Sequence, residues 1–133
     1  MTRTWSKQSR AVRNTLCWEL QVLVDDLLTY MDVSLTTGHR TKQEQNDLYP
    51  TFTKVRWPHG KHNSYPSTAV DMQPYPYPRK ENDLRAGLGY MAGLCTLIAE
   101  AHGFKIRWGG DWNRNGDVTD QEFNDLFHIE VYE

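Results

Sequence analysis

Proline is confined to one part of this chain. All six prolines fall between positions 50 and 78, so the flanking segments lack the strongest helix breaker while the middle cannot be regular helix. Cysteine is scarce as well. Cys17 and Cys95 are the only two, each among apolar residues in predicted helices, and neither has metal-site spacing. Buried free thiols and synthesis in a reducing cytoplasm are the expectation. No apolar run approaches the ~18 residues a membrane helix needs. The basic start, Met1-Thr2-Arg3-Thr4-Trp5-Ser6-Lys7, has no apolar stretch or small-residue cleavage site behind it, so it does not read as a signal peptide. Blocks of like charge and a basic tail are also missing. With a net charge of −2, non-specific nucleic-acid binding has no electrostatic footprint, and stable membrane association has no anchor.

What is present fits one domain spanning residues 1–133, large enough for a single core. Leu16, Leu20, Leu23 and Leu27 recur at helical spacing and predict a long helix from Ser9 to Met31. Val33–Thr36 reads as a short strand. Thr41 with Glu44 forms a capping box that opens a short helix through Tyr49. Thr68–Met72 reads as a strand within ordered Pro-rich loops. A second long helix follows over Glu81–His102, stopped by Gly103. Its Gly87, Gly89 and Gly93 predict close approach of another backbone. Phe104–Trp108 and Phe127–Tyr132 complete the strands, with a helical turn over Gln121–Asn124 between them. The fold class is α+β: two long helices on a small, mainly antiparallel sheet. The aromatic share of 12% suits a cleft wall or a large-residue core. Trp57, Trp108, Trp112, Tyr75 and Tyr77 are the wall candidates, and Trp112, inside a polar loop, is expected to be exposed.

Three residues offer N, O and N ligands: His62, Asp71 and His128. Two histidines and a carboxylate with a fourth position left for water make a catalytic-type zinc set. Strand alternation puts Ala69 and Asp71 on one face, with Val70 and Met72 on the other. Likewise His128 and Glu130 oppose Phe127, Ile129 and Val131. An acid among apolar strand neighbours needs a partner, because an unpaired buried carboxylate is costly. Asp125, three residues before His128, is a candidate general base; a turn cap is its plainer reading. Taken alone, His62 on a loop reads more often as a surface histidine than as a ligand, with His59 as a rival.

The motifs Lys61-His62-Asn63, Pro66-Ser67-Thr68-Ala69-Val70-Asp71, Arg107-Trp108-Gly109-Gly110-Asp111-Trp112 and Asn124-Asp125-x-x-His128-x-Glu130 together resemble the VanY-like zinc peptidases. More narrowly they resemble phage endolysins that act as L-alanyl-D-glutamate endopeptidases. Gly38-His39-Arg40-Thr41 with Gln45 and Leu48-Tyr49 extends the likeness, which runs from about residue 33 to the end. The resemblance implies a hedgehog/DD-peptidase-like fold and His62, Asp71 and His128 as zinc ligands. It also implies Asp125 as the catalytic carboxylate and Arg40 as the cation facing a substrate carboxylate or oxyanion. A salt bridge from Arg40 to Asp71 or Glu44 is the structural alternative. The interval between His62 and Asp71 is longer than in the commoner family pattern. Gly60 stands where Ser is usual, and Phe127 where Pro is usual.

Residues 111–122 also fit an EF-hand-type calcium loop. Asp111, Asn113, Asn115, Thr119 and Glu122 would bring side-chain oxygens, Asp117 its backbone carbonyl, and Gly116 the sharp turn. An Asx-rich loop capping its own backbone is the alternative. Because this loop leads into Asp125 and His128, calcium there would act as a switch for the zinc site.

The expected function is cleavage of peptidoglycan stem peptides at the L-Ala–D-Glu bond by a monomeric phage endolysin, with Trp112 as a substrate wall. Such a protein is expected to be made in the host cytoplasm and to reach the wall after membrane permeabilisation. The alternatives are a D-Ala-D-Ala carboxypeptidase or dipeptidase, and a non-catalytic, calcium-stabilised wall-binding module.

Overall fold

The computed structural model describes residues 2–122 and 124–132. Helix α1 spans Lys7–Arg13 and α2 Trp18–Tyr30. They are followed by strand β1 (Val33–Thr37), helix α3 (Lys42–Leu48) and a single 3-10 turn at Lys61–Asn63. Strand β2 (Ala69–Pro74) leads to the long helix α4 (Glu81–His102), and β3 (Ile106–Gly109) and β4 (Asp125–Val131) close the chain. The strands form one sheet in the order β1-β2-β4-β3, with every neighbouring pair antiparallel.

The α+β class is as expected, but only one of the two long helices is continuous. The predicted Ser9–Met31 helix breaks at residues 14–17, whose backbone is used elsewhere. Ser67 donates its N–H to the Thr15 carbonyl at 2.7 Å, and Cys17 donates to the Ser67 carbonyl at 2.8 Å. Two inter-segment bonds replace the helical ones, and the break costs few backbone partners. Leu16 still packs into the core at 2% exposure. Ahead of the break, α1 is tied to α2 by Arg13 and Trp5, both of which donate to Asp25 at 2.7–2.9 Å.

One face of the sheet carries the core. Leu20, Leu23, Val24 and Leu27 form the inner stripe of α2, and Leu88, Met91 and Cys95 that of α4. Both stripes pack with Val70, Met72, Leu35 and Ile129 of the strands. Each fully buried aliphatic side chain contributes roughly 1.5–3 kcal/mol. Helix α4 ends on Gly103 at φ 76°, the left-handed conformation that glycine adopts without strain. The glycines inside α4 behave differently from expectation. A Cβ at Gly87 would meet the Pro74 ring at 2.9 Å, but Gly89 and Gly93 have nothing within 4 Å. No backbone approaches them, and they line an exposed face.

The Thr41–Glu44 capping box is formed in full. The strand boundaries shift by one to two residues from those expected, which brings Asp125 into β4. The turn predicted over Gln121–Asn124 runs through residue 123, outside the described residues, and Gln121, Glu122 and Asn124 are not helical. Cys95 is buried and Cys17 half-buried, and both are free thiols. Burial pushes the Cys95 thiol up to about 12.

Candidate metal centre

The sheet face opposite the core gathers the polar residues. Asp71 and His128 are direct cross-strand partners on β2 and β4, which places their side chains side by side. His62 arrives from the 3-10 turn. That turn is pinned by Arg40, whose N–H donates to the His62 carbonyl at 2.7 Å, and by Asn63, whose amide donates to Gln45 at 3.1 Å. Gln45 is buried at 1% exposure and also accepts from Arg40 Nη1 at 3.1 Å. A single neutral side chain thus ties α3 to the turn and to Arg40.

The three ligand candidates converge. His62 Nε2 lies 3.3 Å from both His128 Nδ1 and Asp71 Oδ1, and the remaining edge of the triangle, His128 Nδ1 to Asp71 Oδ1, is 3.1 Å. Bonds of about 2.0–2.1 Å in a tetrahedral zinc site imply ligand–ligand edges of about 3.3–3.4 Å. The triangle has the size such an ion requires. His59 is exposed and lies outside the cluster.

The outward nitrogens specify the tautomers. His62 Nδ1 lies 2.8 Å from the Gly38 carbonyl, which can only accept, so Nδ1 carries the proton and Nε2 points its lone pair inward. Gly38 has to be glycine here: a Cβ would sit 2.3 Å from Thr15 Oγ1. His128 Nε2 donates to Glu130 Oε1 at 2.9 Å. Glu130 is buried at 3% exposure and its second oxygen accepts from Arg107 at 2.8 Å. Burial pushes its carboxyl up, but the His128 and Arg107 hydrogen bonds outweigh that and hold it below the ordinary range. Outer acceptors of this kind orient metal-binding imidazoles.

The hydrogen bonding around the triangle also favours a proton on His128. Burial opposes charge on His128, yet hydrogen bonds to Asp71 and Glu130 prevail and raise its pKa to about 9. Asp71 is likewise pushed up by burial but held well below the usual carboxylate range, chiefly by the hydrogen bond from His128. The Nδ1 proton of an imidazolium at His128 would point into the triangle that suits a divalent cation.

Asp125 lies near enough to the triangle for its charges to act on it, and it lines a hollow with Glu81, Leu84 and Arg85 of α4. Burial raises its pKa first, the Asp71 charge raises it further, and His128 and His62 partly offset the rise. On a regular strand, residues three apart face opposite sides. The β3–β4 register breaks between Trp108 and Gly109, which pairs with Asp125, so simple alternation does not set the side of Asp125 relative to His128. Asp125 also accepts the Phe127 amide. Among the described residues Arg40 makes no ion pair with Asp71 or Glu44.

Trp112 is half-buried rather than exposed, because its ring packs 5.6 Å from the His128 ring and under Arg107. Tyr75 and Tyr77 are exposed, at 61% and 50%. In the 111–122 loop, Asp111 accepts the N–H groups of Asn115 and Gly116, and Asp117 accepts from Thr119. These are the self-capping bonds of an Asx-rich loop. No second cluster of three His, Cys, Asp or Glu ligands forms among the described residues.

Fold and site together define a class: an α+β enzyme with a His–Asp–His centre, compatible with a metal ion, built on one sheet face. Comparison with known proteins makes the class particular. The family described as phage L-alanyl-D-glutamate peptidase matches residues 1–132, and the chain belongs to that family. Among solved structures, the Serratia marcescens L-Ala D-Glu endopeptidase ChiX is similar, with a TM-score of 0.73 at 18% identity over 98% of this chain and 91% of that one. That likeness shows a shared fold. No curated protein matched the chain.

Proposed function

We propose that the protein is a monomeric zinc peptidase that cuts the L-Ala–D-Glu bond of peptidoglycan stem peptides during phage-induced lysis. The observation that carries this reading is the ligand triangle, with edges of 3.3, 3.3 and 3.1 Å and both outward imidazole nitrogens already donating. His62, Asp71 and His128 would hold the ion. When bound, zinc supplies a Lewis acid for the amide carbonyl and lowers the pKa of a water toward about 7.

The remaining steps belong to the chain's own residues. Asp125 takes a proton from the attacking water on its carboxylate and returns it to the leaving amine; its raised pKa suits both halves of that task. Arg40 presents a guanidinium oriented by Gln45 and forming no ion pair with a carboxylate among the described residues, suited to a substrate carboxylate. Trp112 forms a wall beside His128. No helix among the described residues is long and apolar enough to cross a membrane. Synthesis in the host cytoplasm and access to the wall after membrane permeabilisation fit the family.

Calcium in the 111–122 loop is the second part of the reading. It is supported by the residue spacing and by Gly116, whose φ of 81° folds the loop back over Asp111. Asp111, Asn113, Asn115, Asp117, Thr119 and Glu122 would hold the ion. Calorimetric titration of the zinc-loaded protein with calcium tests this. Heat that disappears on joint Asp111→Ala and Glu122→Ala substitution supports the site, and no heat in the parent protein refutes it.

Mass spectrometry of fragments released from purified peptidoglycan, with chelated protein as control, tests the main reading. New D-Glu N-termini with free L-Ala ends are expected. Loss of terminal D-Ala alone would assign a carboxypeptidase, and no metal-dependent fragment would leave a wall-binding module.

A further inference from the structure

A second groove, of about 810 Å³, lies where β2 begins and β4 ends. Its most exposed aromatic is Trp18, at 65%, the first residue of α2. That indole is braced although exposed. It meets Phe104 edge-on at 5.2 Å, Phe104 stacks on His102 at 5.1 Å, and His102 is held by Asp26 at 2.7 Å. An aromatic face held rigid before binding offers contact area at little entropic cost.

The groove is also positively charged within a chain of net charge −2. Lys61 and Lys105 are exposed along it, and neither forms an ion pair among the described residues. Arg114 lies 3.9 Å over the ring of Tyr132, which lines the same groove. Glu19 is the single carboxylate among the lining residues. Lys61 immediately precedes His62 in the same 3-10 turn, so one turn supplies a residue to the groove and a residue to the metal centre.

We infer that this groove is a second binding site for the wall polymer, with a sugar ring stacked on Trp18 and stem-peptide carboxylates paired with Lys61 and Lys105. The inference rests on the peptidase reading for its ligand. A polymer with one stem peptide at the metal centre continues past Lys61, and its neighbouring stems carry the carboxylates that match the lysines. The flat apolar face of a pyranose suits the indole, and the cations flank it.

Two rates separate this site from the catalytic one. Trp18→Ala and Lys105→Glu are each assayed, as zinc-loaded protein, on purified sacculi and on a soluble peptide containing L-Ala–D-Glu. Co-sedimentation with sacculi on ice is measured alongside. Each variant is expected to lose about fivefold or more on sacculi and in co-sedimentation, with the soluble-peptide rate within about twofold of the parent. Trp18→Phe should recover part of the loss. Equal losses on both substrates, unchanged sacculus activity, or a loss confined to Lys105→Glu would overturn the inference. If the parent leaves the soluble peptide uncut, the peptidase reading fails, and co-sedimentation alone then decides the groove.

Discussion

Glu130 takes the outward N–H of His128 at 2.9 Å while its other oxygen holds Arg107 at 2.8 Å. The pair sits two residues apart on β4, so strand geometry alone keeps carboxylate and imidazole on one face. The consequence is that the His128 ring cannot turn without losing a buried, charge-assisted bond. Glu130→Gln keeps the shape and an acceptor but removes the charge. It is expected to weaken zinc binding by about 10–100-fold, measured by chelator competition, with the far-ultraviolet circular dichroism unchanged. Parent-like zinc affinity would show that Glu130 serves packing alone.

The metal-free protein should carry a pH signature. His128 has an ordinary pKa of 6.5 and reaches about 9 in the folded state. Because the folded value is raised, its stabilisation is fully present below about pH 6.5 and is lost as pH climbs through about 9. The melting temperature of chelated protein is therefore expected to fall across that window. Zinc uptake displaces the Nδ1 proton, so affinity should rise by about tenfold per pH unit below about pH 9, levelling above it. Calorimetry in buffers of different ionisation heat counts the released proton. A flat metal-free melting profile would contradict the bridged imidazolium.

Asp125→Asn tests the proton carrier. The amide keeps volume and polarity but cannot accept and return a proton, so kcat should drop by about 10²–10⁴-fold. Zinc affinity is expected to stay near that of the parent, since Asp125 stands outside the ligand triangle. The raised carboxyl pKa predicts an acid limb in the parent pH–rate profile that disappears in the variant. A limb that persists would assign it to another group.

These tests concern residues of unequal visibility in the sequence. Asp71 and His128 could be found because each breaks an apolar alternation, and a polar residue on a strand among core residues needs a partner. Alternation also puts Glu130 on the His128 face; its hold on the imidazole depends on Arg107 from another strand, which no local pattern reveals. Gly38 gives no signal either, since its part is a backbone carbonyl and a close approach to Thr15. The break between α1 and α2 is silent for a related reason. Residues 14–17 continue a good helical pattern, and the competing bonds come from Ser67, about fifty residues away in sequence. Long-range backbone pairing overrides local propensity here. The register break at Asp125 belongs to the same category, being a property of two strands together.

Arg40 and Gln45 give the final test. The main-chain N–H of Arg40 is anchored on the His62 carbonyl at 2.7 Å, and its guanidinium has a neutral side-chain partner in Gln45 at 3.1 Å. A neutral partner orients the fork without cancelling its charge, which leaves that charge for the substrate. Arg40→Lys retains the charge but loses the planar fork, and kcat/KM on a soluble stem peptide is expected to fall by about 10–100-fold. Gln45→Glu should produce a comparable loss by the opposite route, forming an ion pair that occupies the guanidinium. Zinc affinity in both variants should remain within about twofold of the parent, because neither residue touches the triangle. If Gln45→Glu left kcat/KM unchanged, the neutrality of Gln45 would carry no functional weight, and its part would be to anchor the His62 turn through Asn63.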